Sequence, residues 1–68
     1  MAEGLTNRLK ELRAARGLTQ AELAALVGVT RKTVNTVENG VFVPSTILAL
    51  KLARALGVPV EALFLLDG

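Results

Sequence analysis

Apolar residues recur along this chain every three or four positions, in short segments that glycines and prolines separate. This spacing places the apolar side chains on one face of a helix, whereas a half-buried strand would alternate at every second position. Stop signals follow the segments at Gly17, Gly28, Gly40 and Gly57, since glycine commonly ends a helix in the left-handed conformation. The pattern therefore predicts an all-α protein of five short helices.

Start signals set the boundaries of these helices. Thr19 and Glu22 have the spacing of a capping box, in which each side chain accepts a hydrogen bond from the other residue's backbone N–H. Thr30 can cap a third helix, Pro44 and Ser45 open a fourth, and Pro59 suits the first turn of a fifth. The five helices are predicted at residues 6–16, 20–27, 31–39, 44–56 and 59–65. Because no linker or repeat interrupts them, they form one domain.

The segment from position 20 to position 39 has the pattern of two short helices that cross at a tight angle. Ala24 lies where the helices would approach closely, and Gly28 lies where the chain would reverse between them. The apolar positions that would hold the pair together are Leu23, Val27, Val29, Val34 and Val37. This arrangement indicates a helix-turn-helix, a unit that places its second helix in the major groove of DNA.

The outward face of the third helix favours the same interpretation. Val34 and Val37 must face the core, so the opposite side carries Lys32, Asn35, Thr36 and Asn39, with Arg31 on its flank. This face contains no acid. Arginine and lysine can pair with guanine, asparagine can pair with adenine, and the threonine methyl group can contact thymine. A solvated helix face is the alternative, and the preceding turn favours DNA over it.

From residue 9 to residue 64 the chain resembles the phage repressor and Cro family of Xre-type regulators. The resemblance is carried by LKELRAARGLTQAELAALVGVTRKTVNTVENG, followed by PS and ALKLARALGVPVEALF. It implies a compact five-helix, lambda-repressor-like DNA-binding domain over residues 1–68, with the helix-turn-helix at 20–39. In this family the third helix enters the major groove and the second crosses the DNA backbone.

The resemblance also assigns expected roles to individual positions. The expected base-contacting residues are Arg31, Lys32, Asn35 and Thr36. The expected phosphate-contacting residues are Thr19, Gln20, Thr30, Thr33 and Asn39. For Gln20, which begins the second helix, the alternative is a solvent-exposed first helical residue without a ligand.

Arg13 and Glu38 each border an apolar stripe. Arg13 lies four residues after Leu9, and Glu38 lies four residues after Val34. We expect them to meet as a partly buried ion pair that joins the first helix to the third. The resemblance supports this expectation, because an equivalent pair occurs in phage repressors. Its role would be architectural.

A second apolar surface is expected outside the core. Val41 occupies a position where relatives often carry a basic residue, and Ile47 one where many carry an acid. Because symmetric oligomers repeat one patch on both subunits, this surface is a candidate two-fold interface. Its predicted residues are Phe42, Val43, Ile47, Leu50, Val58, Val60, Leu65 and Leu66. The alternative is that some of them complete a small core.

The C-terminal run of residues 63–66 is apolar on more faces than one helix can bury. Part of it should therefore pack on another chain. Some small relatives extend this tail into a strand that pairs with the N-terminal segment, and residues 1–5 would supply that partner here.

Composition narrows the remaining possibilities. The chain has 68 residues, no Cys and no His, so disulfides and the usual transition-metal ligands are excluded. A core of this size is marginal, which leaves self-association as the expected aid to stability. The net charge of +2 is only a mild bias towards polyanions. Charges interrupt every apolar run, so no membrane span is expected.

No enzyme is predicted. Without His or Cys, the general-base, nucleophilic and metal chemistry that these residues supply is missing, and the six acids are scattered along the chain. The glycine-rich loops that bind phosphates are absent as well. We therefore expect no catalytic residues, no cofactor, no metal and no small-molecule ligand.

These observations together predict a cytoplasmic, homodimeric transcriptional regulator, a repressor, that binds a palindromic operator in double-stranded DNA. The alternative is a protein-interaction module, such as an antitoxin-like partner, with weak or no specific DNA binding. The apolar Val41 and the modest charge favour the alternative slightly. Arg31 and Lys32 at the start of the third helix favour DNA more strongly.

Overall fold

The computed structural model describes residues 4–67 of the chain. Over that range the elements are β1 (Leu5–Asn7), α1 (Leu9–Ala15), α2 (Gln20–Val27), α3 (Arg31–Glu38), α4 (Thr46–Leu56), α5 (Val60–Leu63) and β2 (Phe64–Leu66). The predicted five-helix, all-α architecture is confirmed, and the two short strands are a minor addition to it. Among the helices of the described residues, none combines the length and the apolar character that a membrane crossing requires.

Local capping chemistry explains why α2 has the boundaries that the sequence predicts. The Thr19 hydroxyl accepts from the Glu22 backbone N–H at 3.0 Å, and the Glu22 carboxylate accepts from the Thr19 N–H at 2.8 Å. At the other end Gly28 adopts the left-handed conformation, with φ of 77°, which costs a glycine little. Both ends of α2 are therefore set by residues within or next to the helix.

The helices α3 and α4 begin by the same means. The Thr30 hydroxyl accepts from the Thr33 N–H at 3.2 Å, and the Ser45 hydroxyl accepts from the Leu48 N–H at 3.1 Å. The α3 helix ends at Glu38 rather than at Asn39, which is its C-cap. The α4 helix begins at Thr46 rather than at position 44, because Ser45 is its N-cap.

All five helices contribute to one core. Each of its ten side chains is at most 5% exposed: Leu9, Leu23, Ala24, Val27, Val34, Val37, Leu52, Ala53, Leu56 and Leu63. The α2 helix packs against both α3 and α4, and α1 packs against α3. Complete burial of a leucine or valine contributes about 1.5–3 kcal/mol. The orientation of α3 therefore rests on Val34 and Val37, each 1% exposed.

The ends of the described chain differ from the prediction. The first helix begins at Leu9 rather than at position 6, and the fifth ends at Leu63 rather than at 65, because β1 and β2 pair as an antiparallel ladder. Leu5 lies opposite Leu66 in this ladder. The Arg8 N–H donates to the Leu63 carbonyl at 2.9 Å and continues the pairing. The backbone hydrogen bonds of the ladder replace those that longer helices would have formed.

Pairing between the tail and the N-terminal segment is therefore present, within one chain. The N-terminal partner is residues 5–7 rather than 1–5, and residues 1–3 lie outside the described range. The Asn7 side chain accepts from the Leu9 N–H at 3.2 Å and donates to the Val37 carbonyl at 3.0 Å. This side chain thus pairs the first N–H of α1 and also attaches the small sheet to α3.

Candidate nucleic-acid interface

The outward face of α3 presents polar and basic side chains over its first two turns. Arg31, Lys32 and Asn35 are exposed and together line a shallow depression. Thr36 is half-buried. All four residues predicted to contact bases therefore lie on one side of α3, and no exposed acid lies among them, since the Glu38 side chain is 2% exposed.

The threonines of α3 form a local hydrogen-bond series. The hydroxyls of Thr30 and Thr33 lie 3.1 Å apart, and the Thr36 hydroxyl donates to the Thr33 carbonyl at 2.9 Å. Because the proton of the Thr36 hydroxyl is used by the backbone, the hydroxyl oxygen can only accept from a ligand. Thr30 is exposed and Thr33 half-buried, and both lie at the N-terminal end of α3.

Thr19 and Gln20, two predicted phosphate contacts, lie at the N-terminal end of α2, where unpaired backbone N–H groups favour an anion. Thr19 is exposed and Gln20 half-buried. The Gln20 side chain is already bonded, because its Nε2 donates to Glu38 Oε1 at 3.0 Å. One N–H of the Gln20 amide is left for a ligand.

The structure contains the ion pair between Arg13 and Glu38. Arg13 Nε lies 2.5 Å from Glu38 Oε2, and Arg13 Nη2 donates to Glu38 Oε1 at 3.3 Å. A third bond runs from Arg13 Nη1 to the Leu18 carbonyl at 2.7 Å. The side chains of Arg13 and Glu38 are 13% and 2% exposed. The pair fastens α1 to the helix that carries the candidate base contacts.

The predicted dimer surface divides into two areas. Val43, Leu50 and Val60 line one apolar groove, and Ile47 shares a neighbouring depression with Leu50. Phe42 instead lines a depression beside α3, with Val41, Lys32, Thr33 and Thr36.

The remaining residues of the predicted dimer surface differ in exposure. Leu65 and Leu66 are exposed on β2, whereas Val58 and Val60 are half-buried against the core.

Two exposed leucines were missed by the sequence interpretation. Leu5, which pairs with Leu66 in the sheet, lines the apolar groove together with α4 residues. Helical periodicity gives no signal for such a contact. Leu26 is 62% exposed on α2 and lies in a separate groove with Lys51 and Arg54. Its position outside the inward stripe of α2 would have indicated its exposure.

Comparison with known proteins agrees with this geometry. The helix-turn-helix family profile matches residues 9–63. YgzD of Bacillus subtilis, an uncharacterised HTH-type transcriptional regulator, is 46% identical over 63 residues, which cover 93% of this chain and 96% of YgzD. A regulator of the same description from Methanothermobacter thermautotrophicus is 52% identical over 60 residues, or 87% of each chain.

A solved structure is similar as well. The crystal structure of the restriction-modification controller protein C.AhdI from Aeromonas hydrophila has a TM-score of 0.77 and 45% identity, with 81% of this chain and 83% of that chain covered. The chain described here belongs to the Xre-type family of helix-turn-helix DNA-binding transcriptional regulators.

Proposed function

We propose that the protein is a homodimeric repressor that binds a palindromic DNA operator and inserts α3 of each subunit into the major groove. The observation that carries the proposal is the two-sided character of α3. Val34 and Val37 are buried, whereas Arg31, Lys32 and Asn35 are exposed on a face without acids. A helix held in this way presents hydrogen-bonding groups to base edges without losing its contacts to the core.

The base contacts follow from the chemistry of the side chains on the outward face of α3. Arg31 and Lys32 donate to guanine O6 and N7, Asn35 pairs with adenine, and Thr36 contacts thymine. Phosphate contacts by Thr19, Gln20, Thr30, Thr33 and Asn39 position the protein on the duplex and carry no sequence information directly.

Dimerisation joins two such helices. The apolar groove lined by Leu5, Val43, Leu50 and Val60 and the adjoining Ile47 provide a surface that a second copy would cover. A two-fold dimer places the two α3 helices on half-sites about 34 Å apart, one turn of DNA. The operator is then a palindrome.

Repression follows from occupancy of the operator in the cytoplasm, where a bacterial or archaeal chromosome lies. Protein concentration sets that occupancy through dimerisation. This mode of regulation requires no catalytic step, no cofactor or metal, and no small-molecule effector.

A second candidate function is a protein-interaction module with the same fold. It is favoured by Val41, which is 78% exposed at a position where relatives often carry a basic residue, and by Phe42, 47% exposed beside α3. An apolar pair at this place would suit a protein partner better than a phosphate.

Selection of bound sequences from a random duplex pool distinguishes the two functions. The selection is run at two salt concentrations with the wild type and with Arg31→Ala. An enriched palindrome that degrades in the variant supports the repressor. Salt-sensitive binding without a motif, or no binding, supports the interaction module.

A further inference from the structure

Four polar side chains connect the buried ion pair to the exposed face of α3. Gln20 Nε2 donates to Glu38 Oε1 at 3.0 Å, and Asn35 Nδ2 donates to Gln20 Oε1 at 3.5 Å. Asn39 Nδ2 then donates to Asn35 Oδ1 at 3.1 Å. We call Glu38, Gln20, Asn35 and Asn39 the amide chain. It begins at a carboxylate that is 2% exposed and ends at exposed amides on the surface.

We propose that Glu38 and Gln20 are positioning residues that determine which base pair Asn35 prefers, by setting the direction of every hydrogen bond in the amide chain. The inference rests on the proposed DNA-binding function. Neither residue needs to touch the base that Asn35 contacts.

The direction of the amide chain is set at its buried end. An ionised carboxylate can only accept hydrogen bonds, and the Arg13 guanidinium beside it can only donate. The Gln20 amide must therefore turn its nitrogen towards Glu38 and its oxygen towards Asn35. Asn35 in turn must direct its nitrogen to Gln20 and its oxygen to Asn39. An amide without an acceptor-only neighbour could adopt either of its two orientations.

The constraint matters because adenine distinguishes the two ends of an amide. A bidentate contact pairs the asparagine nitrogen with adenine N7 and the asparagine oxygen with adenine N6. Each Asn35 atom has one hydrogen-bonding site left after the bonds of the amide chain, so this contact is still possible. If the Asn35 amide were reversed, its nitrogen would face the adenine N6 donor and its oxygen would face the N7 acceptor. The preference for adenine would then be lost.

A substitution at the buried end should reverse the amide chain. In Glu38→Gln the shortest Arg13 contact, from Nε to the Oε2 position, requires the new amide oxygen there, so the amide nitrogen takes the Oε1 position beside Gln20. Gln20 then presents its nitrogen to Asn35, and the Asn35 amide reverses. We expect the variant to change the preferred base at the base pair that Asn35 contacts, although position 38 is buried.

The double variant Glu38→Gln, Gln20→Glu should restore the original direction. The carboxylate at position 20 accepts from both the amide at position 38 and the Asn35 nitrogen. Base preference should then return to that of the wild type. Overall affinity should still fall, because the new negative charge lies near the DNA phosphates. A restored base preference together with a lowered overall affinity is not expected if Glu38 and Gln20 only support the fold.

A third variant covers the case in which Glu38→Gln does not fold. Gln20→Met keeps the length of a half-buried side chain and removes both of its amide bonds. It should lower the preference at the Asn35 base pair by roughly tenfold, within the range that one bidentate contact provides. As the matched control, Thr33→Val removes a predicted phosphate contact outside the amide chain. It should weaken binding to all sequences equally.

The experiment measures binding of each folded variant to the operator selected by the wild type and to its single-base-pair substitutions. The base pair of interest is the one at which Asn35→Ala loses preference, and circular dichroism checks folding. Loss of the preference in Gln20→Met supports the inference, and where Glu38→Gln folds, its changed preference and the restoration in the double variant must accompany that loss.

Two results would overturn the inference, and they are distinguishable. If the wild type selects a palindrome and Gln20→Met retains full preference at the Asn35 base pair, only the positioning role is wrong. If the wild type selects no motif, the proposed function fails and the inference fails with it.

Discussion

At the scale of the residue, Glu38 has two tasks that depend on its burial. It neutralises Arg13 and accepts from Gln20, and the described residues include no buried side-chain nitrogen or oxygen without a partner. Removing one partner of a buried pair leaves an uncompensated charge, which costs far more than losing an exposed pair. The ion pair therefore affects the stability of the fold mainly when one of its partners is removed.

Arg13→Met should lower the free energy of unfolding by about 3 kcal/mol, the low end for buried pairs, because Arg13 is 13% exposed. Urea denaturation followed by circular dichroism measures this loss. The matched control is Arg8→Met, which breaks the exposed ion pair with Glu11 and should cost about 0–1 kcal/mol. Equal losses in the two variants would contradict the assignment of Arg13.

Arg31→Ala should relax base preference at one position of each half-site, by about 1–3 kcal/mol if the guanine contact is bidentate. Binding to the selected operator and to its single-base variants measures the effect. Arg54→Ala, on the exposed side of α4, removes the same charge away from α3 and is the control. Should both variants weaken binding to every sequence alike, Arg31 contacts phosphate only.

At the scale of the element, α2 and α3 are defined by bonds between near neighbours. Each cap joins residues three positions apart, so the sequence carries all the information that these boundaries need. The helices α1 and α5 differ, because the strand pairing competes for their outer residues. Periodicity alone overestimates the length of both.

Thr19→Ala should destabilise the protein by about 1 kcal/mol, because it removes half of the capping box and leaves the Glu22 N–H unpaired. Thermal unfolding of the purified domain measures the change. Lys10→Ala is the control, since Lys10 is exposed on α1 and lies outside the apolar groove, and it should change stability by less than about 0.5 kcal/mol. A similar loss at both positions would mean that the cap of α2 contributes little.

At the scale of the whole molecule, nine large apolar side chains of the described residues are exposed. Leu50 and Val43 share the apolar groove between α4 and the sheet, whereas Leu26 lies in another groove between α2 and α4. The proposed dimer covers the first groove and leaves the second open.

Leu50→Glu should convert the dimer to a monomer, with a dissociation constant raised on the order of 30-fold, as expected for a central apolar contact. Analytical ultracentrifugation measures the oligomeric state. Leu26→Glu introduces the same charge at a leucine of similar exposure and should leave the dimer intact. Dissociation by the Leu26 variant alone would move the interface to the second groove.

Much of the candidate site could be predicted because helical periodicity decides which residues of α3 face outward. Burial of Val34 and Val37 places Arg31, Lys32 and Asn35 on the opposite side. Proximity between distant residues was harder to predict. The pairing of Arg13 with Glu38 was anticipated, because both residues border apolar stripes, but the bonds of Gln20 to Glu38 and Asn35 were not.

The helix-turn-helix follows from the amino-acid sequence alone: its two caps, the glycine turn and the outward face of α3. Those features depend on residues a few positions apart. Local torsion angles and hydrogen bonds between near neighbours decide the geometry of such residues. The register of the strand pairing at the chain ends and the direction of the amide chain instead required the folded structure. Both depend on groups from separate elements that meet only in the fold. The paired backbone edge selects the strand register, and the buried Glu38 carboxylate, which can only accept, selects the orientation of the amides.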